Sequence, residues 1–211
     1  MSGLAEHLEK PMPSPRRDRL GYAAARTLEA LLEAILALEY LCEGFTRNAA
    51  GKVFQAWRAL TGAILALEAE RLEKLLPKEQ AEWLLGKALT KIPSSKLKPL
   101  SRLIEETLGY RNYGPLTDRV LNLHEYQYQG PDPAAELSRY PSREEAAYDI
   151  VYMAIRIAEI IETRLKPLLE KRGAWRAEHK EALEKLKRRT VEEGEKLHGA
   201  EDTHPRCSPR G

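Results

Sequence analysis

Arg119, His124, Tyr126 and Tyr128 fall within one short segment, DRVLNLHEYQYQG, residues 118–130. An arginine and a histidine this close together suit a phosphodiester. A guanidinium pairs bidentately with phosphate oxygens and stabilises negative charge as it develops. An imidazole titrates near neutrality and can act as general base or general acid. In RNA the ribose 2′-OH can attack its own phosphate, so such a reaction needs no metal. Tyrosines beside the pair can stack on unpaired bases. Arg119 and His124 are therefore the candidate catalytic pair. Asn122, Tyr126, Tyr128 and, just ahead of the segment, Arg111 are candidate substrate contacts.

These side chains have to be positioned by a helix. At about 100° per residue, Leu116, Val120 and Leu123 form a narrow apolar stripe. Arg119, Asn122 and Tyr126 lie on one flank, and His124 and Tyr128 on the other. Arg119 and His124 sit about 140° apart on the wheel, so they bracket the stripe rather than stack. If the stripe packs on the same helix of a second subunit, a two-fold axis brings both Arg–His sets into one cleft. A homodimer is expected on that ground.

The rest of the chain reads as helices. Residues 1–19 carry three prolines and the cluster RRDR and form an arm. Leu28, Leu31, Leu32, Ile35, Leu38 and Leu41 recur at helical spacing, and Gly44 is a stop. Thr46 is placed to cap a second helix running to about Leu76, with Val53, Phe54, Trp57, Leu60, Ile64 and Leu67 inward. The link is so short that the two helices form an antiparallel hairpin. Pro77 opens a shorter helix, KIPSS breaks it, and another short helix closes at Gly109. Pro115 opens the helix of the quoted segment, which Gly130-Pro131 ends. Ser142 to Glu145 is a capping box for a long helix that Pro167 kinks or restarts. No strand alternation is found. The expected fold is an all-α antiparallel bundle over 20–170, with an extra charged C-terminal helix over 171–198 whose thin stripe is Trp175, Leu183 and Leu186. Residues 199–211 read as a disordered tail.

Bulk properties exclude several classes. The 211 residues suffice for one domain with a real core, and the net charge is only +2, so any nucleic-acid contact has to be a local patch. RRDR and Lys187-Arg188-Arg189 are such basic groups. No Cys/His spacing suits zinc, and there is no phosphate loop, nucleophile elbow or metal motif; neither metal nor cofactor is expected. Cys42 and Cys207 suit a reducing compartment, and no leader or membrane-spanning run is seen, so a cytoplasmic protein is expected. The abundance of Glu, Lys, Arg, Leu and Ala resembles a thermophile's composition.

The order of these features resembles the HEPN superfamily, helical bundles that are commonly dimeric and often metal-independent ribonucleases. Their motif is Arg, four to six residues, then His, near the end of a late helix. In HEPN toxins paired with minimal nucleotidyltransferases it extends to Arg-x4-His-x-Tyr, which Arg119, His124 and Tyr126 match in RVLNLHEY. RNAAGKVFQAWRALTGAI, and HEYQYQGPD followed by SRYPSREEA, are similar to archaeal PaREP-type HEPN-like proteins. The resemblance covers roughly 20–168.

What the resemblance implies is a protein of RNA metabolism or toxin–antitoxin defence that cleaves single-stranded RNA by 2′-OH attack. Arg119 would hold the phosphate and His124 would move protons. Tyr126 would position substrate or accept AMP from a nucleotidyltransferase partner. Val120 stands where active members carry a polar residue. That departure favours the alternative of a non-catalytic module binding RNA, a nucleotide or a nucleotidyltransferase. A third alternative is a helical-repeat scaffold, which the small residues of the first hairpin suit but the lack of a repeat near 34 residues opposes.

Overall fold

A computed structural model describes residues 6–199. Cys207 and the tail read as disordered lie outside them. The described residues are helical with no strand. Helix α1 spans Arg19–Cys42 and α2 spans Thr46–Leu67. Short helix α3 is Ala69–Leu75, and α4 is Lys78–Trp83, continued by a π-helical turn Leu84–Ala88 and by Leu89–Lys91. Then come α5, Leu97–Leu108, and α6, Tyr113–Gln129. Helix α7, Arg143–Ile160, passes through a π-helical turn Ile161–Leu165 into Lys166–Lys171. Helix α8 is Ala177–Gly199.

The core is organised around α2, which packs on α1, α6 and α7 and is buried on nearly every side. Its small residues explain how. Ala49, Ala50, Gly51, Ala56, Ala59, Gly62 and Ala63 are all buried and let neighbouring backbones approach. The α1–α2 hairpin is the expected one, with Gly44 at φ +84° in the connection.

Several local expectations are corrected by tertiary contacts. Thr46 is not the cap of α2. Phe45 holds that position without a side-chain cap bond, while the Thr46 hydroxyl pairs with the Tyr126 hydroxyl at 2.8 Å. A buried partner has displaced the local one. Helix α2 ends at Leu67 rather than near Leu76, because the chain bends at Glu68 (φ −94°, ψ 9°). Ala69 and Leu72 remain buried beyond the bend, so the apolar rhythm runs through it. Helix α6 starts at Tyr113, ahead of Pro115, and its first turn is capped from another helix. The two carboxylate oxygens of Glu105 on α5 accept the N–H groups of Asn112 at 3.0 Å and Gly114 at 2.8 Å. Ser142 caps α7 as the box predicts, accepting the N–H of Glu145 at 3.2 Å.

Charged helix α8 packs on α1 and α7. Ala182, Leu183 and Leu186 are buried in the common core, while Trp175 is only half-buried. His179 is buried with them. Its Nδ1 accepts the Arg176 N–H at 3.3 Å, so the ring proton sits on Nε2, 2.9 Å from the Ala24 carbonyl. Lys185 pairs with Glu39 at 3.0 Å and Lys187 with Glu162 at 2.9 Å, tying the helix down at its edges. No helix among the described residues is long and apolar enough to cross a membrane.

Candidate functional site at the carboxyl end of helix α6

Helix α6 runs antiparallel to α2, and polar pairs mark the seam. Tyr113 Oη meets Thr61 Oγ1 at 2.9 Å, and Trp57 Nε1 donates to Thr117 Oγ1 at 2.9 Å. Further along, His124 stacks on Phe54, and Tyr126 meets Thr46. The three hydrogen-bonded pairs satisfy buried polar atoms that would otherwise be costly, so the register of the two helices is well specified.

This seam decides the fate of the apolar stripe. Leu116, Val120 and Leu123 are buried within their own bundle. The stripe therefore cannot be the face on which a second copy packs, and the two-fold cleft inferred from the helical wheel is not built that way. The physical reason is that a narrow stripe is equally satisfied by α2 of the same chain, which is always present at high effective concentration.

The two catalytic candidates go to different neighbours. Arg119 turns towards α7, where Nη1 donates to Asp149 Oδ1 at 2.5 Å and the guanidinium lies 4.6 Å from the Tyr152 ring centroid. Asp149 Oδ2 accepts the Tyr140 hydroxyl at 2.6 Å. Burial pushes the Tyr140 phenol far up, and the carboxylate that accepts its proton pushes it further. His124 turns towards α2. Its ring stacks on Phe54 with centroids 3.8 Å apart and planes 7° from parallel, and Tyr128 stands edge-on at 5.3 Å. Among the described residues no hydrogen bond or ring contact joins Arg119 to His124.

Burial holds the His124 imidazole below its ordinary range, the Gln127 side chain opposes this, and the positive charge of Arg58 adds to it. Its Nδ1 is buried and has no hydrogen-bond partner among the described residues. Both observations bias the ring towards its neutral form. Arg58 is held by the carbonyls of Ile92 and Lys91 at 3.1 and 2.9 Å, and its guanidinium lies 5.8 Å from the Phe54 centroid. Arg47 closes the end of α6, donating to the carbonyls of Gln127 at 2.9 Å and Tyr128 at 2.5 Å.

The remaining candidates divide by exposure. Tyr128 is 61% exposed, whereas Tyr126 is fully buried, with its ring edge-on to Tyr140 at 5.5 Å. In this conformation Tyr126 offers its hydroxyl to Thr46 and not to a substrate or a modifying enzyme. Asn122 is half-buried, and Arg111 is exposed in the turn before α6. Sequence reasoning missed Asp149, Tyr140, Arg58 and Gln127 as neighbours of the motif. Asp149 had one legible signal: it is the lone aspartate in α7, next to the inward-facing Ile150. Among the described residues no group of three or more His, Cys, Asp or Glu side chains is placed to hold a metal ion.

Fold and site together define an all-α protein whose late helix presents a polar, aromatic carboxyl end beside a buried central helix. The chain belongs to the archaeal PaREP1/PaREP8 family, whose family model matches residues 25–151. That span takes in most of the α1–α2 hairpin, all of α6, and Asp149; Tyr152 and α8 fall beyond it. No curated protein and no solved structure matches the chain.

Proposed function

We propose that this protein is a HEPN-like module that binds single-stranded RNA through the carboxyl end of α6. The observation that carries this reading is the aromatic ledge of Phe54, His124 and Tyr128. Tyr128 is exposed and edge-on to His124, which is itself stacked on Phe54. An unpaired base can stack on the exposed ring, which is sequence-tolerant because every base has a π-face. Arg47 and Arg58, both beside the ledge, provide positive charge for the backbone. The commitment of Arg119 to Asp149 favours binding over cleavage, since a carboxylate already occupies the place of a phosphate on that guanidinium.

The second reading is metal-independent cleavage, and the state of His124 favours it. An imidazole held towards its neutral form is a competent base, and with Nδ1 buried the nitrogen that would meet the substrate is Nε2. It would take the 2′-OH proton as that oxygen attacks phosphorus and the 5′-oxygen leaves. In that case the phosphate clamp comes from a second copy packed on a face other than the stripe, or from Arg119 released by Asp149. A nucleotidyltransferase partner belongs to the same reading, and its access to Tyr126 requires the end of α6 to open.

The test is fluorescence anisotropy with labelled single-stranded RNA in EDTA, with the RNA recovered and sized. Saturable binding of intact RNA, weakened about fivefold or more by Tyr128→Ala, supports the binding module, as one lost stacking contact should. Cleavage to 2′,3′-cyclic phosphate ends that His124→Ala abolishes supports the nuclease instead. Absence of saturable binding by the wild type removes both.

A further inference from the structure

Four arginines converge on one concavity at the Leu67 end of α2. Arg16, Arg17 and Arg19 come from the segment entering α1, and Arg172 comes from the turn after α7. They line a cleft of about 510 Å³ whose single acidic side chain is Glu70. A second cleft of about 530 Å³ shares Arg16 and Arg19 with it. The aromatic ledge rests on Phe54, and at 1.5 Å per residue the stretch of α2 from Phe54 to Leu67 is about 20 Å long, so the two regions are separate.

The arginines differ in how they are held. Arg16 Nη2 donates to the Gly86 carbonyl at 2.7 Å, which fixes one wall. Arg19 Nη2 pairs with Glu73 at 3.2 Å. The guanidiniums of Arg17 and Arg172 have no hydrogen-bond or ion-pair partner among the described residues. Two cations without an ion-pair partner, drawn from opposite ends of the described chain to one concavity, give that concavity a positive potential that favours an anion. Glu70 is the one acidic residue among the cleft's lining, against four arginines of which Arg16 and Arg19 are already partnered. The volume is in the range of small-molecule sites and is more than a lone phosphate fills. Several arginines lining one cleft suit an anion whose negative oxygens extend over several ångströms.

We propose that this cleft binds a linked-phosphate anion, two or more phosphoryl groups in a chain, presented either by a free polyphosphate compound or by the 5′ end of an RNA. It is independent of the aromatic ledge and of any cleavage there.

The experiment is calorimetric titration of the full chain with inorganic tripolyphosphate at low salt. Wild type should bind saturably, and Arg17→Ala and Arg172→Ala should each weaken binding about tenfold, the loss expected for one charge-assisted contact. Both side chains are exposed and unpartnered, so the variants should melt like wild type. Arg102→Ala, an exposed arginine on α5, controls for loss of charge and should change nothing. Retained affinity in the Arg17/Arg172 double variant, or no saturable binding by wild type, overturns the proposal. A second arm compares 5′-triphosphate with 5′-hydroxyl forms of one RNA. A preference for the triphosphate that the double variant loses assigns the RNA end as the source. Equal binding of the two, with tripolyphosphate binding intact, assigns a free compound.

Discussion

Arg119 and Asp149, thirty residues apart in the chain, share an ion pair whose carboxylate also accepts the Tyr140 hydroxyl. One aspartate therefore restrains both the motif arginine and a buried phenol from the loop before α7. Any phosphate that meets Arg119 has to compete with it. Asp149→Asn keeps an acceptor for Tyr140 but removes the competing charge. We expect this variant to bind single-stranded RNA several-fold more tightly in the anisotropy assay. An unchanged affinity would take Arg119 out of the RNA surface.

The same contacts have a stability signature. The Arg119 side chain is 38% exposed, and so its pairing is screened and Arg119→Ala should cost only about 0.5–1 kcal/mol. Asp149→Ala should cost more, about 1–3 kcal/mol, because it strips the acceptor from the buried Tyr140 hydroxyl. Urea denaturation midpoints of the two variants give the order directly; the reverse order would contradict the network.

Tyr126 and Tyr128 should differ sharply in reactivity. Tyr126 is fully buried on Thr46, and Tyr128 is well exposed. Nitration of the native protein followed by peptide mass mapping should modify Tyr128 and spare Tyr126. Tyr126 should become reactive only in denaturant. Early modification of Tyr126 would show that the end of α6 opens readily, as the nucleotidyltransferase reading requires.

Gly51 sets the approach of α6 to α2. A Cβ there would lie 2.7 Å from the Gln127 side-chain amide. That amide is the end of a flexible side chain and can swing away, and alanine is the better helix former by roughly 0.5–1 kcal/mol. Gly51→Ala should therefore change stability by less than about 1 kcal/mol. It should still lower the His124 pKa further, because Gln127 is what holds it up. An NMR titration of the imidazole checks this; a rise would mean that Gln127 does not support the ring.

Acid should loosen α8. Burial holds the His179 imidazole below its ordinary value of 6.5, and a second proton on Nδ1 would face the Arg176 N–H. Once pH falls below 6.5, the unfolded chain binds that proton and the folded one resists it, so stability declines until the folded pKa is reached. Above neutrality the residue contributes no slope. His124, depressed in the same direction, adds to the decline. Melting temperatures at pH 5 and pH 7.5 should differ by less in His179→Gln than in wild type. An unchanged difference would remove His179 as a source.

Much of the helical layout was legible in the residues themselves. Periodicity places the α1–α2 hairpin, Gly44, Gly109 and Gly130 stop helices where their backbone turns left-handed, and Ser142 caps α7. These signals are local, since a helix face, a stop and a cap are each set by residues within a turn or two. The Arg-x4-His-x-Tyr spacing was equally plain on the wheel. Where those side chains point was not. The stripe of Leu116, Val120 and Leu123 carries no mark saying whether its own bundle or a second copy will cover it; α2 does. Thr46 has the chemistry of a cap, yet a buried tyrosine eighty residues away takes its hydroxyl. Glu105 looks like a surface acid and caps another helix. Arg119 and His124, close in sequence, are parted because each follows its own flank of the stripe, one to Asp149 and the other to Phe54. Such outcomes depend on which distant groups arrive within a few ångströms, and hydrogen bonds and ring contacts form only over that range, so tertiary packing alone decided them.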